Sequence, residues 1–147
     1  MRTDGRVSVR EHARHFNESF AIRGTPLTAW QMVAALIEQK GWKKQKFCNM
    51  TLLDEYVFER AVSNHKAPPG IRTLMSICAG MDLDIETAKE LLGAIGARLD
   101  NSKQGQAFDY ILRKMSGYSI HERNEFLRLL GFRPLGSGSR DKQNNSK

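Results

Sequence analysis

The sequence predicts an all-α fold, and three observations support this. Apolar residues recur at positions i, i+3, i+4 and i+7 along most of the 147-residue chain, the spacing of one buried helix face. Residues that favour helix starts precede these stretches, and glycine or proline follows them. No segment alternates polar and apolar residues for long between turns, as a half-buried strand does. We therefore expect a single all-α domain of about seven helices.

The first predicted helix covers about residues 9–21 and belongs to an N-terminal arm, residues 1–27. Ser8 and Glu11 have the spacing of a capping box, in which each residue bonds the other's backbone amide. Gly24 and Pro26 are expected to end the helix. The apolar positions of this helix are Val9, Ala13, Phe16 and Phe20.

Five further helices are predicted over about residues 28–96, and they form the central unit of the fold. Their predicted first residues or N-caps are Thr28, Lys43, Asp54, Ile71 and Asp84. Their end signals are Gly41, Asn49, the stretch 63–66 before Pro68 and Pro69, Gly80 and Gly96. Their inward positions include Trp30, Val33, Ala34 and Ile37; Leu53, Val57 and Ala61 with Phe58 and Val62 beside them; Ile71, Leu74, Met75 and Cys78; and Ile85, Ala88, Leu92 and Ile95.

A C-terminal helical hairpin is predicted over about residues 103–116 and 120–130, closed by Gly117 and Tyr118. Ser119 and Glu122 form a second capping box, and Gly131 follows the last helix. The inward positions of the first hairpin helix are Phe108, Ile111, Leu112 and Met115. We expect residues 28–135 to form one domain. Residues 136–147 contain no apolar side chain, so we expect a disordered tail.

Composition favours a cytoplasmic protein. The chain is 40% hydrophobic and 27% charged, which is ordinary for a globular domain. The longest uncharged apolar window, residues 29–37, is far shorter than the roughly 18 residues of a membrane span. Cys48 and Cys78 both fall in apolar helical patterns, so we interpret them as buried thiols in a reducing compartment.

A net charge of +7 suggests a nucleic-acid partner only if the basic residues are clustered, so their distribution along the chain matters. Most of the excess lies at the two ends of the chain. The central part has one local basic cluster, formed by Lys40, Lys43, Lys44 and Lys46. This cluster, rather than the overall charge, is the candidate phosphate-binding feature.

These residues resemble a known family. The run from Trp30 to Leu92, with the letters KGW, KKQKFC and TLLDEYVFERAV, resembles the Cro and phage-repressor type of helix-turn-helix domain. The continuation ETAKELLGAIGARL, QAFDYILRKM, SIHERNEFLRLLGF and PLG resembles a bacterial subgroup in which this domain carries a C-terminal helical hairpin. The resemblance covers about residues 20–136 and implies a transcriptional regulator.

The resemblance also implies roles for particular residues. The helix over residues 43–49 would cross the DNA backbone, and the helix that begins at Asp54 would enter the major groove. The implied phosphate contacts are Lys43, Lys44, Gln45 and Lys46, the implied groove-facing residues are Glu55, Tyr56, Glu59 and Arg60, and Lys66 completes the candidate nucleic-acid-binding set. Glu55 and Glu59 would repel phosphates, although glutamate can accept a hydrogen bond from cytosine N4.

Each candidate residue has a simpler interpretation. The lysines also suit a solvated helix start, Lys40 suits the C-terminal end of the preceding helix dipole, and Tyr56 suits the rim of a helix. Trp30 is expected in the core, and Trp42 is expected to pack under the turn. His12 and His15 share a helix face but have no further ligand pair, so no metal site is predicted.

The sequence thus predicts double-stranded DNA binding in transcriptional control, without catalysis, cofactor, metal or membrane. The alternative is a helical adaptor that binds another protein through the same face. The acidic start of the second helix supports that alternative. Whether the chain forms a homodimer stays open.

Overall fold

The computed structural model describes residues 7–23 and 26–136, which contain eight α-helices and no strand. The helices are α1 (Val9–Arg23), α2 (Ala29–Lys40), α3 (Lys44–Thr51), α4 (Glu55–Ser63), α5 (Ile71–Gly80), α6 (Ile85–Gly93), α7 (Lys103–Arg113) and α8 (Ile120–Leu129). The predicted all-α class is therefore confirmed for this part of the chain. The helices of the predicted arm, central unit and hairpin occur in the expected order.

Local capping residues explain most of the helix starts. Ser8 and Glu11 bond each other's backbone amides, as do Ser119 and Glu122, so both predicted capping boxes are confirmed. Thr28 forms another box with Gln31 at the start of α2. Asp84 accepts a hydrogen bond from the Thr87 amide at 2.8 Å. Each contact supplies an acceptor for an amide that has no partner within its helix.

Several predicted helix ends or caps differ from the structure. Helices α1 and α3 each end two residues later than predicted, at Arg23 and Thr51. Asp54 occupies the N-cap position of α4, but its side chain makes no capping bond there. Helix α6 ends at Gly93, because the chain turns before Gly96, which lies at φ 72°. Helix α7 ends at Arg113, a few residues earlier than predicted.

Helix α5 lies at the centre of the fold and packs against α3, α6, α7 and α8. All seven of its residues from Leu74 to Gly80 are buried. Helix α2 packs against α4 and α6, with Trp30, Val33 and Ile37 in the core. One cluster of buried side chains joins these helices with α7 and α8.

The C-terminal hairpin shares this core. Phe108, Ile111 and Leu112 are buried, as predicted, while Met115 is half-buried. Helices α7 and α8 both pack against α5. Tyr110 and Phe126 stack across the hairpin with ring centroids 5.1 Å apart.

A buried arginine joins the hairpin to the central unit. The Arg123 side chain is fully buried, and its guanidinium donates to the backbone oxygens of Ala79 and Met115. It also donates to the Asp82 carboxylate, which accepts from the Gly117 amide as well. These bonds satisfy carbonyl groups at the C-terminal ends of α5 and α7, where helices leave acceptors unpaired.

The segment after α8 also belongs to the packed body. Asn124 donates to the Leu135 oxygen at 3.1 Å and accepts from the Leu135 amide at 2.7 Å. Gly136 is buried and donates to Ser76 Oγ at 2.9 Å. The prediction that the tail begins at Gly136 is therefore wrong at that residue, since Gly136 fits against Leu52 without a side chain. The remaining predicted tail, 137–147, lies outside the described residues.

Several apolar residues with helical spacing are exposed. On α1, Val9 is 83% and Phe16 is 67% exposed, and Ala13 is exposed as well. The predicted helix is therefore present, but these three apolar positions do not lie in the core. The Phe20 side chain and Gly24 lie outside the described residues. Val62 and Ile71 are also exposed, at the ends of their helices.

Candidate nucleic-acid interface

Helices α3 and α4 pack against each other and are joined by the short turn 52–54. Phe47 of α3 and Phe58 of α4 meet edge to face, with ring centroids 5.6 Å apart. Leu53 in the turn and Val57 of α4 are buried as well. The aromatic pair and the buried aliphatic residues fix how the two helices present their outer faces.

The turn between α3 and α4 depends on Leu52 in a left-handed conformation, with φ 61°. Such a conformation costs a non-glycine residue about 1–2 kcal/mol. Two contacts of Thr51 hold the turn: its hydroxyl donates to the Phe47 oxygen at 2.7 Å and accepts from the Leu53 amide at 3.3 Å. Gly80 allows α5 to lie directly under this turn, because a β-carbon there would be 2.6 Å from Thr51 Cα.

The N-terminus of α3 is unusually positive. Lys43 is its N-cap and makes no side-chain capping bond, and its first turn contains no acidic residue. Lys44 and Lys46 lie in that first turn. Because a helix N-terminus itself carries partial positive charge, basic residues there are unfavourable for the isolated helix and favourable for a bound anion.

The indole ring of Trp42 lies close to the ammonium groups of two neighbouring lysines. Its indole is half-buried against the core, and the ammonium groups of Lys40 and Lys46 lie 5.6 Å and 6.0 Å from its ring centroid. Trp42 is therefore packed against the core over part of its surface and lies close to these two cations. A cation over an indole face is attracted by the ring quadrupole.

The outer face of α4 carries the groove-facing residues that the sequence predicts. Glu55, Tyr56, Glu59 and Arg60 are all exposed, and Tyr56 is 66% exposed. Lys43, Gln45, Lys46 and Lys66 are exposed too, and Lys44 is half-exposed. The nine predicted residues thus lie on α3, on α4 and in the turn after α4.

One contact within this set was not predicted. Lys44 Nζ of α3 lies 2.9 Å from Glu59 Oε2 of α4, although the two residues are 15 positions apart. The hydrogen bond and charge of Glu59 raise the pKa of Lys44, and the charge of Glu55 acts in the same direction. Periodicity along one helix cannot show such a pair, because it depends on how α3 and α4 pack.

The loop after α4 is held from beneath by Trp30. Its indole donates to the Ala67 oxygen at 2.7 Å, and its ring is buried as predicted. A shallow cleft beside this loop is lined by Arg60, His65 and Gly70, among other residues. The bond fixes the path of the chain that carries His65 and Lys66.

The described part of the chain was also compared with the requirements of metal sites, membrane-spanning helices and disulfides. Residues 7–23 and 26–136 contain no group of three side chains suited to hold a metal ion. No helix among them is both long and apolar enough to cross a membrane. Cys78 is buried as predicted, whereas Cys48 is half-buried, and both are free thiols.

Comparison of the chain with protein-family models, with characterised proteins and with solved structures finds no match.

Proposed function

We propose that α3 and α4 act as a helix-turn-helix motif that binds double-stranded DNA, with α4 in the major groove. The protein then serves in transcriptional control and has no catalytic role. Two short helices joined by a tight turn support this proposal, as does the resemblance of residues 20–136 to the phage-repressor type of domain.

The observation that carries the proposal is the position of the lysines. Lys43 and Lys46 lie at an N-terminus of α3 that has no side-chain cap and no acidic residue in its first turn, beside the exposed polar face of α4. Phosphate contacts from a helix N-terminus and its lysines position a protein on DNA, while a second helix contacts the bases. Under this proposal Gln45 and Lys66 lie near phosphates, and Tyr56 and Arg60 face the groove.

A salt-dependent titration tests the proposal. The full chain is titrated against a random-sequence duplex at several salt concentrations, and the same is done for Lys43→Ala combined with Lys46→Ala. We expect wild type to bind at low salt, and we expect the double variant to reduce the slope of log affinity against log salt by about 0.9 for each lost contact.

A matched control separates local contacts from net charge. Lys89 and Lys114 are exposed and lie on α6 and at the end of α7. Changing both to alanine removes the same charge and should leave the slope nearly unchanged. Equal slopes for the two double variants would remove the N-terminus of α3 from the interface.

A second function is favoured by one observation. Lys44 is bound to Glu59, and Glu55 is exposed one helical turn away on α4, so this face also suits a basic protein partner. In that case the protein is a helical adaptor. No binding of wild-type protein to any duplex at low salt would reject the DNA proposal and favour the adaptor.

A further inference from the structure

The outer surface shared by α3 and α4 carries an exposed ion pair, Lys44 with Glu59, whose contribution to the stability of the fold is small. Lys44 and Glu59 side chains are 40% and 54% exposed. Exposed pairs of this kind contribute little to stability, because water screens the charges and two long side chains must be held in one geometry. The Phe47–Phe58 contact joins the two helices, and Leu53 and Val57 are buried nearby in sequence.

The pair uses only part of the bonding capacity of each group. Glu59 Oε2 contacts Lys44, while Oε1 accepts no hydrogen bond from any of the described residues. An ionised carboxylate has about four lone-pair sites on its two oxygens, and an ammonium group has three donors. A free acceptor and free donors therefore lie side by side on the surface that faces the proposed DNA site.

The chemistry of the base edges selects one partner for the free carboxylate oxygen. Cytosine presents a lone donor, N4, in the major groove. Guanine presents two acceptors and thymine an acceptor with a methyl group, and all of these disfavour a carboxylate. Adenine places the acceptor N7 beside its N6 donor, so it also fits a carboxylate less well than an amide.

Lys44 removes the main obstacle to such a contact. An unpaired carboxylate near the groove is repelled by phosphates, whereas an ammonium group at 2.9 Å compensates its charge and fixes its position. Glutamate on this face therefore becomes compatible with DNA when it is held by the lysine of the neighbouring helix.

We propose that Lys44 and Glu59 act as one unit that selects a cytosine at a defined position of the DNA site, with Glu59 accepting from cytosine N4 and Lys44 positioning and neutralising the carboxylate. This inference rests on the proposed DNA-binding function. It assigns Lys44 a role in specificity, different from the phosphate contacts of Lys43 and Lys46.

The test compares base preference in a pool of randomised duplexes. Full-length wild type, Glu59→Gln, Lys44→Met and a control, Glu90→Gln on the exposed side of α6, are each used to enrich bound sequences at low salt. Selected duplexes are then changed one base pair at a time, and affinities are measured. Circular dichroism melting of each variant checks that the fold is kept.

We expect wild type and Glu90→Gln to share a C·G pair at one position, and changing that pair should weaken wild-type binding on the order of tenfold or more. Glu59→Gln should lose this preference or shift it to adenine, which suits an amide side chain. Lys44→Met should weaken binding to all duplexes and reduce the same preference.

Two negative outcomes are distinguishable. If Glu59→Gln binds DNA and keeps the preference of wild type at every position, the specificity inference is wrong while the DNA-binding proposal stands. If wild type binds no duplex at low salt, the DNA-binding proposal fails and the inference fails with it.

Discussion

The buried guanidinium of Arg123 donates to the carboxylate of Asp82 at 2.5 Å, and this contact ties α8 to the turn after α5. The arginine side chain has no exposed surface, whereas the Asp82 side chain is 43% exposed. The pair therefore lies at the edge of the core, with further bonds from Arg123 to two backbone oxygens.

Arg123→Met should lower the free energy of unfolding by about 3–5 kcal/mol. The substitution keeps most of the side-chain volume but leaves the backbone oxygens of Ala79 and Met115 and the Asp82 carboxylate without their donor. Arg123→Lys should recover only part of the loss, because an ammonium group cannot reach three acceptors in a planar fork. Urea unfolding measures both variants.

The control for this prediction is Arg128→Met, an exposed position on the same helix. It should change stability by no more than about 0.5 kcal/mol. If Arg123→Met and Arg128→Met unfold at the same urea concentration, the buried arginine does not stabilise the junction between hairpin and central unit.

Gly136→Ala should destabilise the fold by about 1–3 kcal/mol. Gly136 lies at φ 115°, and an added β-carbon would be 2.7 Å from Leu52 Cβ and 2.9 Å from the Leu52 oxygen. Leu52 forms the turn between α3 and α4, so the substitution also disturbs the candidate interface. Thermal unfolding, read by circular dichroism, gives the change.

Gly131→Ala is the matched control, because Gly131 has φ 88° and nothing within 4 Å of an added β-carbon. It should show the backbone penalty alone, about 1 kcal/mol. A loss no larger at Gly136 than at Gly131 would mean that the contact with Leu52 is easily relaxed.

Ser8, Ser119, Arg123 and Gly136 show which features of the fold could be predicted from the sequence and which could not. The capping boxes of Ser8 and Ser119 were predictable, since both partners lie within one helical turn. The roles of Arg123 and Gly136 were not, because their partners lie in other helices and remote segments of the chain. Burial of Gly136 corrects the predicted start of the tail for the same reason.

The same distinction, between features within one helix and contacts between helices, applies to the candidate interface. The resemblance implies that Tyr56 and Arg60 lie on the outer face of α4, and both residues are exposed. The Lys44–Glu59 pair joins two helices and needed the packing of α3 on α4. On α1, Val9 and Phe16 have helical spacing but are exposed, because apolar spacing identifies a face of a helix and not what covers it.

Cys78 should make stability depend on pH in the alkaline range. Burial raises the pKa of its thiol to about 12 from an ordinary value of 9.0. The unfolded chain therefore loses this proton at lower pH than the folded chain does. The contribution is fully present below about pH 9 and is lost progressively as pH rises toward the folded-state value.

Cys78→Ala removes this linkage while leaving the other titrating groups in place. Between about pH 8 and pH 10, wild type should lose about 1 kcal/mol more stability than the variant does. The comparison uses the change with pH, so the smaller volume of alanine does not affect it. Equal losses in both proteins, measured by urea unfolding, would show that the folded thiol ionises as readily as the unfolded one.

Lys44 and Glu59 should be coupled in their effects on non-specific DNA binding. Lys44→Met removes a positive charge and leaves the Glu59 carboxylate without its partner at 2.9 Å, so affinity for a random duplex should fall. Glu59→Gln should raise that affinity, because it removes phosphate repulsion. The double variant restores the net charge of wild type, and its affinity should return close to the wild-type value.

Arg113 and Asp109 provide the matched pair, since they form an exposed ion pair of similar length, 2.8 Å, on α7. Arg113→Met, Asp109→Asn and their combination repeat the same charge changes away from α3 and α4. If DNA binds this face, the Lys44 and Glu59 variants should change affinity more than the α7 variants at low salt, and the difference should shrink as salt screens the charges. Equal effects at the two sites would indicate a response to net charge alone. If none of these proteins binds DNA, a basic protein partner is favoured instead. In that case the loss of the Glu59 charge should slow association with the partner.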